Sequence, residues 1–414
     1  MANPARRLVR WLDGPLPVLG ALALAAASTG VVIPAMRALV EQASGDPIAT
    51  GVFNASHVIG GILGAALGTR ALALVGSPRR LALAGLATSV AVTLAIAAIT
   101  PLELRIGLRF VDGACHLLAL TALISAGTTG TLELRARRAV WMGVAIVLGV
   151  AGGLGLGGAI ATPVQSLVIS AGLSTAALLT TLAAVRTISA PATTTGPPAP
   201  RQAPPPIGPG LLAFGERFIF GMLSTAALYL APSRARVGLV LGTFMVASLI
   251  AMPVARRYAQ QWGARKLAVR GTLVFALGLA LAGAVDTFAT IGAALPWALG
   301  CGAAAGALYA SALVLAARSP TIEDRVRDMS MVQASGGAGH ALGALCGGWA
   351  VTLLPAVLDL GAPGTLVIAA PGVGVIVVAT IGVWLTVPEA ARDCPVISSI
   401  ASLGDARDEL ADES

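Results

Sequence analysis

The sequence predicts an all-α membrane protein of twelve transmembrane helices in two pseudo-symmetric six-helix bundles. Three observations predict it. Of 414 residues, 56% are hydrophobic and only 11% charged, against roughly 25% charged in a soluble domain, and the mean hydropathy is +0.86. The apolar residues fall in runs of about 20, enough for a helix to cross a hydrocarbon core of about 30 Å, without the period-two alternation of a membrane barrel. A proline-rich stretch then divides these runs into two sets of six.

In order, the first six spans are read at 15–36, 50–68, 80–100, 102–126, 139–160 and 164–186. The second six are read at 209–231, 237–255, 268–285, 290–316, 329–354 and 365–387. The first follows MANPARRLVRW, which resembles a signal peptide, but its apolar run is over-long and many spans follow, so it is read as a retained helix. Between the halves, TISAPATTTGPPAPRQAPPPIG at 187–208 is too rich in proline and small polar residues for a buried helix and is expected to be a semi-extended cytoplasmic linker. The tail at 389–414, with Asp405, Asp408, Glu409, Asp412 and Glu413, is acidic and expected to be disordered. This gives bundles at 1–186 and 209–388.

A formal charge of +8 would suit nucleic acid, but the placement of the charges excludes it. With a cytoplasmic N-terminus and alternating spans, the basic residues fall in cytoplasmic segments apart from Arg37, Arg105, Arg234 and Arg236 outside and Arg109 and Arg217 within the membrane. That bias predicts an inner-membrane protein with both termini cytoplasmic. Cys115, Cys301 and Cys346 lie in spans and Cys394 in the tail, with no CxxC pair, so they are read as packing residues.

The most concentrated charge inside a span is RFVDGACH, Arg109 to His116. A charge at the bilayer centre costs roughly 2.5–3.5 kcal/mol on insertion scales. At 100° per residue, Arg109, Asp112 and His116 lie within about 60° of one another, so they share a face that should point away from lipid. Arg109 and Asp112 are spaced to pair, and His116 is able to change charge near neutral pH. Arg105 extends the stripe outward, where it either joins the site or snorkels to the interface. In span two, Asn54 and His57 share a face; in span eleven, Gln333 and His340 do so beside the glycine register 339, 343, 347. Span seven holds Glu216 and Arg217. Being adjacent they point about 100° apart, and separate partners are expected for them.

An internal repeat relates the halves. TRALALVGSPRRL follows the second span and RRYAQQWGARKL the eighth; aligning Gly76 with Gly263 sets Arg70 opposite Arg257, and both stretches end in a basic pair, Arg79 and Arg80 against Arg265 and Lys266. Here the chain resembles the major facilitator superfamily of transporters over nearly its whole length. PVARRYAQQWGARKL is similar to that family's G-R-L-A-D-R-x-G-R-R loop, with Gln260, and Ala73 in the first half, where the family has its aspartate. RFVDGACH resembles R-F-x-x-G-x-G, with Arg109 and Gly113 in register. GVAGGLGLGG resembles the antiporter pattern G-x-x-x-G-P-x-x-G-G, with Leu154 in place of the proline and Gly149, Gly153, Gly157 and Gly158 as packing glycines. VVIPAM in span one is similar to part of a drug-exporter segment.

The resemblance implies alternating access between the halves, the basic loops acting as gates and Arg109 associated with proton coupling. The expected function is proton-coupled export of a small, partly apolar molecule by a monomer in the bilayer, with Asp112 taking the proton, tuned by Arg109 and His116, and Glu216 as its second-half counterpart. Asn54, His57, Gln333 and His340 are expected to line the cavity. An importer or uniporter of the same superfamily stays open, as does a non-transporting assembly factor using the linker and tail. No phosphate-binding loop, HExxH or clustered Cys/His site is present in the sequence, so neither a cofactor nor a metal is expected, and an enzyme is not.

Overall fold

The computed structural model describes residues 16–42, 46–127, 132–183, 207–262, 264–284, 290–316, 322–359 and 366–386. The linker, the acidic tail and Gly263 lie outside them, as do the side chains of Gln260, Arg257 and Ala73.

The N-terminal half contains α1 (Leu16–Glu41), α2 (Pro47–Val75), α3 (Pro78–Ala98), α4 (Leu102–Gly127), α5 (Leu132–Ala159) and α6 (Pro163–Ala183). The C-terminal half contains α7 (Ile207–Leu230), α8 (Arg234–Trp262), α9 (Ala264–Ala284), α10 (Ile291–Ala316), α11 (Ile322–Thr352) and α12 (Leu366–Thr386). Ten of the twelve are long and apolar enough to cross a membrane. The other two are α9, which carries Arg265, Lys266 and Arg270 in its first turns, and α11, whose first turns are ionic. The protein is a multi-pass membrane protein.

Several helices run past their apolar cores. Backbone hydrogen bonding inside a helix does not depend on the solvent outside it, so α2, α5, α8 and α11 continue through polar turns that hydropathy assigns to loops. Of TRALALVGSPRRL, only Gly76 and Ser77 lie between helices. Gly76, at φ 72°, adopts the left-handed conformation that glycine tolerates and caps α2 by donating its N–H to Leu72. Pro34 tightens the middle of α1 into a 3₁₀ turn at Ile33–Ala35.

The packing repeats. In the first half α1 lies on α5 and α6, α4 on α2 and α3, and α3 on α6; in the second α7 lies on α11 and α12, α10 on α8 and α9, and α9 on α12. Adding six to each helix of the first half reproduces the second. The halves meet through α2 on α11 and α5 on α8, a pair of contacts that the same rule exchanges.

Glycine makes these contacts close. Without a hydrophobic drive between helices in lipid, small residues and near-backbone contact hold them together. On α5, a Cβ at Gly149, Gly153 or Gly157 would run into the carbonyls of Ala23, Ala27 and Val31 on α1. On α11, Gly339, Gly343 and Gly347 stand in the same relation to Phe214, Phe218 and Met222 on α7. Gly158 instead faces Gly238 on α8, across the halves.

Candidate functional site

The first-half site forms where α1 to α4 converge. Gly113 lies against the His57 carbonyl, and that absence of a side chain draws α4 onto α2. Asp112, 3% exposed, is then surrounded. Its Oδ2 lies 2.6 Å from Arg109 Nη1, one turn back on the same helix, and 3.3 Å from His57 Nδ1 on α2. Its Oδ1 accepts from Ser89 Oγ at 2.6 Å and Thr93 Oγ1 at 3.5 Å, both on α3. His57 is close enough for an ion pair when protonated but is not aligned as a hydrogen bond. His116 Nε2 lies 3.2 Å from Thr29 Oγ1 on α1, and the two imidazoles stand 5.7 Å apart, centroid to centroid.

The structure therefore brings together Arg109, Asp112, His116 and His57, and adds Ser89, Thr93 and Thr29, which the sequence does not single out. Short hydroxyl side chains in an apolar helix most often return a hydrogen bond to their own backbone, so composition gives them no signal. Arg109, 1% exposed, lies 5.8 Å from the Phe53 ring centre. Its Nε and Nη2 have no hydrogen-bond partner among the described residues.

Arg105 has a different task. It donates from Nε to Ile99 O at 2.6 Å and from Nη1 to Leu39 O at 2.7 Å, tying the end of α3 and the last turn of α1 to α4. It is buried rather than snorkelling.

The second-half site corrects one expectation. Glu216 and Arg217 do not take separate partners: Arg217 Nε lies 3.1 Å from Glu216 Oε2. The 100° between adjacent Cβ directions is overcome by the length of the two side chains, which curl back towards each other. Glu216 is buried, and its Oε2 receives no aligned hydrogen bond from any described residue. The Arg217 guanidinium covers the Tyr309 ring of α10 at 5.1 Å, and Gln333 Nε2 on α11 donates to Tyr309 Oη at 2.8 Å. His340 packs against Phe220 with ring centres 5.6 Å apart and lies within electrostatic reach of Arg217 and, across the halves, of His57.

Between the sites the halves are hydrogen-bonded at one end. Asn54 Nδ2 on α2 donates to Ser224 Oγ at 2.9 Å and Thr225 Oγ1 at 3.1 Å on α7. Thr50 and Tyr229 place their hydroxyls 2.7 Å apart. Arg37 covers the Tyr229 ring at 4.6 Å, donates to Leu228 O at 3.1 Å and pairs with Glu41. Arg234 donates to Ala161 O, and Gly348 rests on the first turn of α2. All of these lie towards the end of the molecule that holds the α1–α2, α5–α6, α7–α8 and α11–α12 connections, opposite the start of α1.

The basic pairs lie at the other end and tie helices within each half. Arg79 Nη2 donates to Leu182 O at 2.9 Å, joining α3 to α6; Arg265 Nη2 donates to Trp384 O at 2.9 Å, joining α9 to α12. Arg70, Arg80 and Lys266 are exposed. The two staples obey the same six-helix shift as the packing.

Comparison with known proteins agrees with this geometry. The Major Facilitator Superfamily model matches residues 207–399. No curated protein matches the chain. Among solved structures, the D-xylose-proton symporter aligns at 15% identity and a TM-score of 0.67, covering 92% of this chain and 99% of its own. The nucleoside transporter NupG aligns at 14% and 0.64, covering 90% and 98%. A bacterial homologue of the human lysosomal transporter Spinster, in an inward-facing and unoccupied conformation, aligns at 12% and 0.63, covering 93% and 96%. The C-terminal half matches the Major Facilitator Superfamily, and the whole chain has the fold of these solved transporters.

Proposed function

We propose that the protein is a secondary transporter that moves a small, partly apolar molecule across a membrane by alternating access, coupled to protons. The observation that carries the reading is the knot around Asp112. A buried carboxylate joins α2, α3 and α4 through one ion pair, two hydroxyls and an imidazole, so the charge on one atom group sets how three helices of one half hold together. The fold supplies the second requirement, two matching halves that meet along a narrow glycine-lined seam. With the termini cytoplasmic, the hydrogen-bonded end is external.

In this reading Asp112 carries the proton, with Arg109 and His116 as its tuning partners, and export runs against proton entry. Adding a proton to Asp112 removes its attraction for Arg109 and turns an acceptor into a donor, which changes the packing preference of α3 and α4. The test is transport in proteoliposomes under an imposed pH gradient. Asp112→Asn should abolish the gradient-driven component in the protein that reconstitutes folded; gradient-driven flux at the wild-type rate in that variant would refute the assignment.

Co-transport with protons is the second reading, and one observation favours it. Glu216 has an oxygen free of hydrogen bonds among the described residues, whereas Asp112 has both oxygens occupied. The sign of the proton flux that accompanies substrate entry separates the two. An assembly factor working through its tail is tested by deleting Leu403–Ser414: transport by the truncated protein at close to the full rate supports a transporter.

A further inference from the structure

We propose that Arg217 is the binding point for the carboxylate of an organic anion, and that Glu216 is the internal group which that carboxylate displaces. The inference rests on the transporter reading and, of its two directions, goes with co-transport. It names the substrate class: a monovalent organic acid with an apolar, preferably aromatic, body.

The argument starts from where Arg217 sits. Helix α7 is the most enclosed of the candidate spans, packed by α11, α12, α10 and α8. In its first half the partly exposed residues are Leu211, Phe214 and Arg217, three apart, among otherwise buried neighbours. Leu211 of this stripe meets Gly382 of α12, and the stem of Arg217 meets Gly336 of α11. The Arg217 side chain is 26% exposed, unlike the 1% of Arg109. It is also held in place: its Cζ stands 5.1 Å from the Tyr309 ring centre, Gln333 donates to the Tyr309 hydroxyl, and Gly336 leaves room for its stem. The edge of a guanidinium is what matches a carboxylate.

Glu216 makes the exchange chemically sensible. It approaches Arg217 through Nε, at 3.1 Å. Its Oε2 has no aligned hydrogen bond among the described residues although it is buried. Arg217 is the charged group that acts on it; Tyr309 on α10 and His340 on α11 face Arg217 in turn, α12 carries no ionisable residue between 366 and 386, and the cations of α8 sit at its ends. When a substrate carboxylate takes Arg217, Glu216 would be a buried charge without a partner, a costly state. Taking one proton removes that cost. One anion and one proton therefore enter together, and the charge of the site is unchanged. Phe214, partly exposed and stacked on Phe218 at 6.2 Å, supplies apolar surface on the same helix for the body of the substrate.

The test uses the full chain in detergent and in proteoliposomes, with benzoate, 2-naphthoate and indole-3-acetate as anionic probes and their primary amides as neutral isosteres. Calorimetry in buffers of different ionisation enthalpy should show carboxylates binding at least tenfold more tightly than amides, with uptake of about one proton per anion. Arg217→Gln should lose that preference while Arg217→Lys retains part of it. Glu216→Gln should bind the carboxylates with no proton uptake. Tyr309→Phe, which keeps the ring but frees Gln333, should weaken carboxylate binding with unchanged thermal unfolding, excluding a loss of fold as the cause. Amides bound as well as acids, no carboxylate bound, or unchanged proton uptake in Glu216→Gln would each overturn the proposal. Flux of amides without preference for acids would overturn it and leave the transporter reading standing; carboxylate binding at Arg217 without flux would do the reverse.

Discussion

Tyr229 on α7 and Thr50 on α2 hold their hydroxyls 2.7 Å apart, one of the hydrogen bonds that join the two halves of the molecule at the end opposite the start of α1. The same ring lies under Arg37, so one side chain serves helices α1, α2 and α7. A net hydrogen bond contributes about 0.5–1.5 kcal/mol. Tyr229→Phe should therefore shift the balance towards the conformation open at this end by roughly twofold to tenfold. Labelling of a cysteine placed at position 49, which leaves Thr50 and Asn54 intact, by an impermeant reagent added on that side measures it.

The glycines of α5 separate into two faces with opposite expectations. A Cβ at Gly153 would meet the Ala27 carbonyl and the Val31 amide, whereas one at Gly152 meets nothing within 4 Å. Gly153→Ala should destabilise the protein by about 1–3 kcal/mol, the usual range for overpacking. Gly152→Ala should be neutral or slightly stabilising. Thermal unfolding of the two purified variants, one residue apart, gives a direct comparison.

Arg109 and Asp112 should behave as a unit. Neutralising one partner of a buried pair leaves the other unpaired, at a cost of about 3–5 kcal/mol. Asp112→Asn and Arg109→Gln should each lower stability strongly, and the double variant should be more stable than the sum of the two losses. Gradient-driven flux should stay lost in all three. A double-mutant cycle on unfolding and on flux checks both statements.

Arg105 should separate from this group. Its two donors end on the Ile99 and Leu39 carbonyls, so Arg105→Gln should cost about 1–3 kcal/mol of stability by leaving buried carbonyls unsatisfied. The apparent affinity for substrate should not change. Substrate titration and unfolding on the same preparation distinguish the two effects.

What is legible in the sequence follows from range. Twenty apolar residues declare a span regardless of what surrounds them, and Arg109, Asp112 and His116 share a face because one helix fixes their directions. The register of Gly149, Gly153 and Gly157 is legible for the same reason. His57 reaching Asp112, or Arg79 reaching Leu182, depends on how separate helices dock, and no period within either helix records that. The pairing of Glu216 with Arg217 escapes a reading that treats side chains as fixed spokes, because several rotatable bonds in each allow neighbours to meet. Helices extend beyond their apolar runs because hydropathy marks the membrane boundary and not the last hydrogen bond.

The seam between the halves has a mechanical consequence. Gly158 faces Gly238 where α5 meets α8, and Gly348 rests on Gly51 where α11 meets α2. At these two crossings backbone lies against backbone, while further along α2 the side chains of Val58 and Ile62 lie against Gly337 of α11. Under the proposed alternating access, these crossings would let the two halves roll with little local repacking, and the hydrogen bonds from Asn54, Thr50, Arg37 and Arg234 that cross between the halves would carry much of the cost of switching.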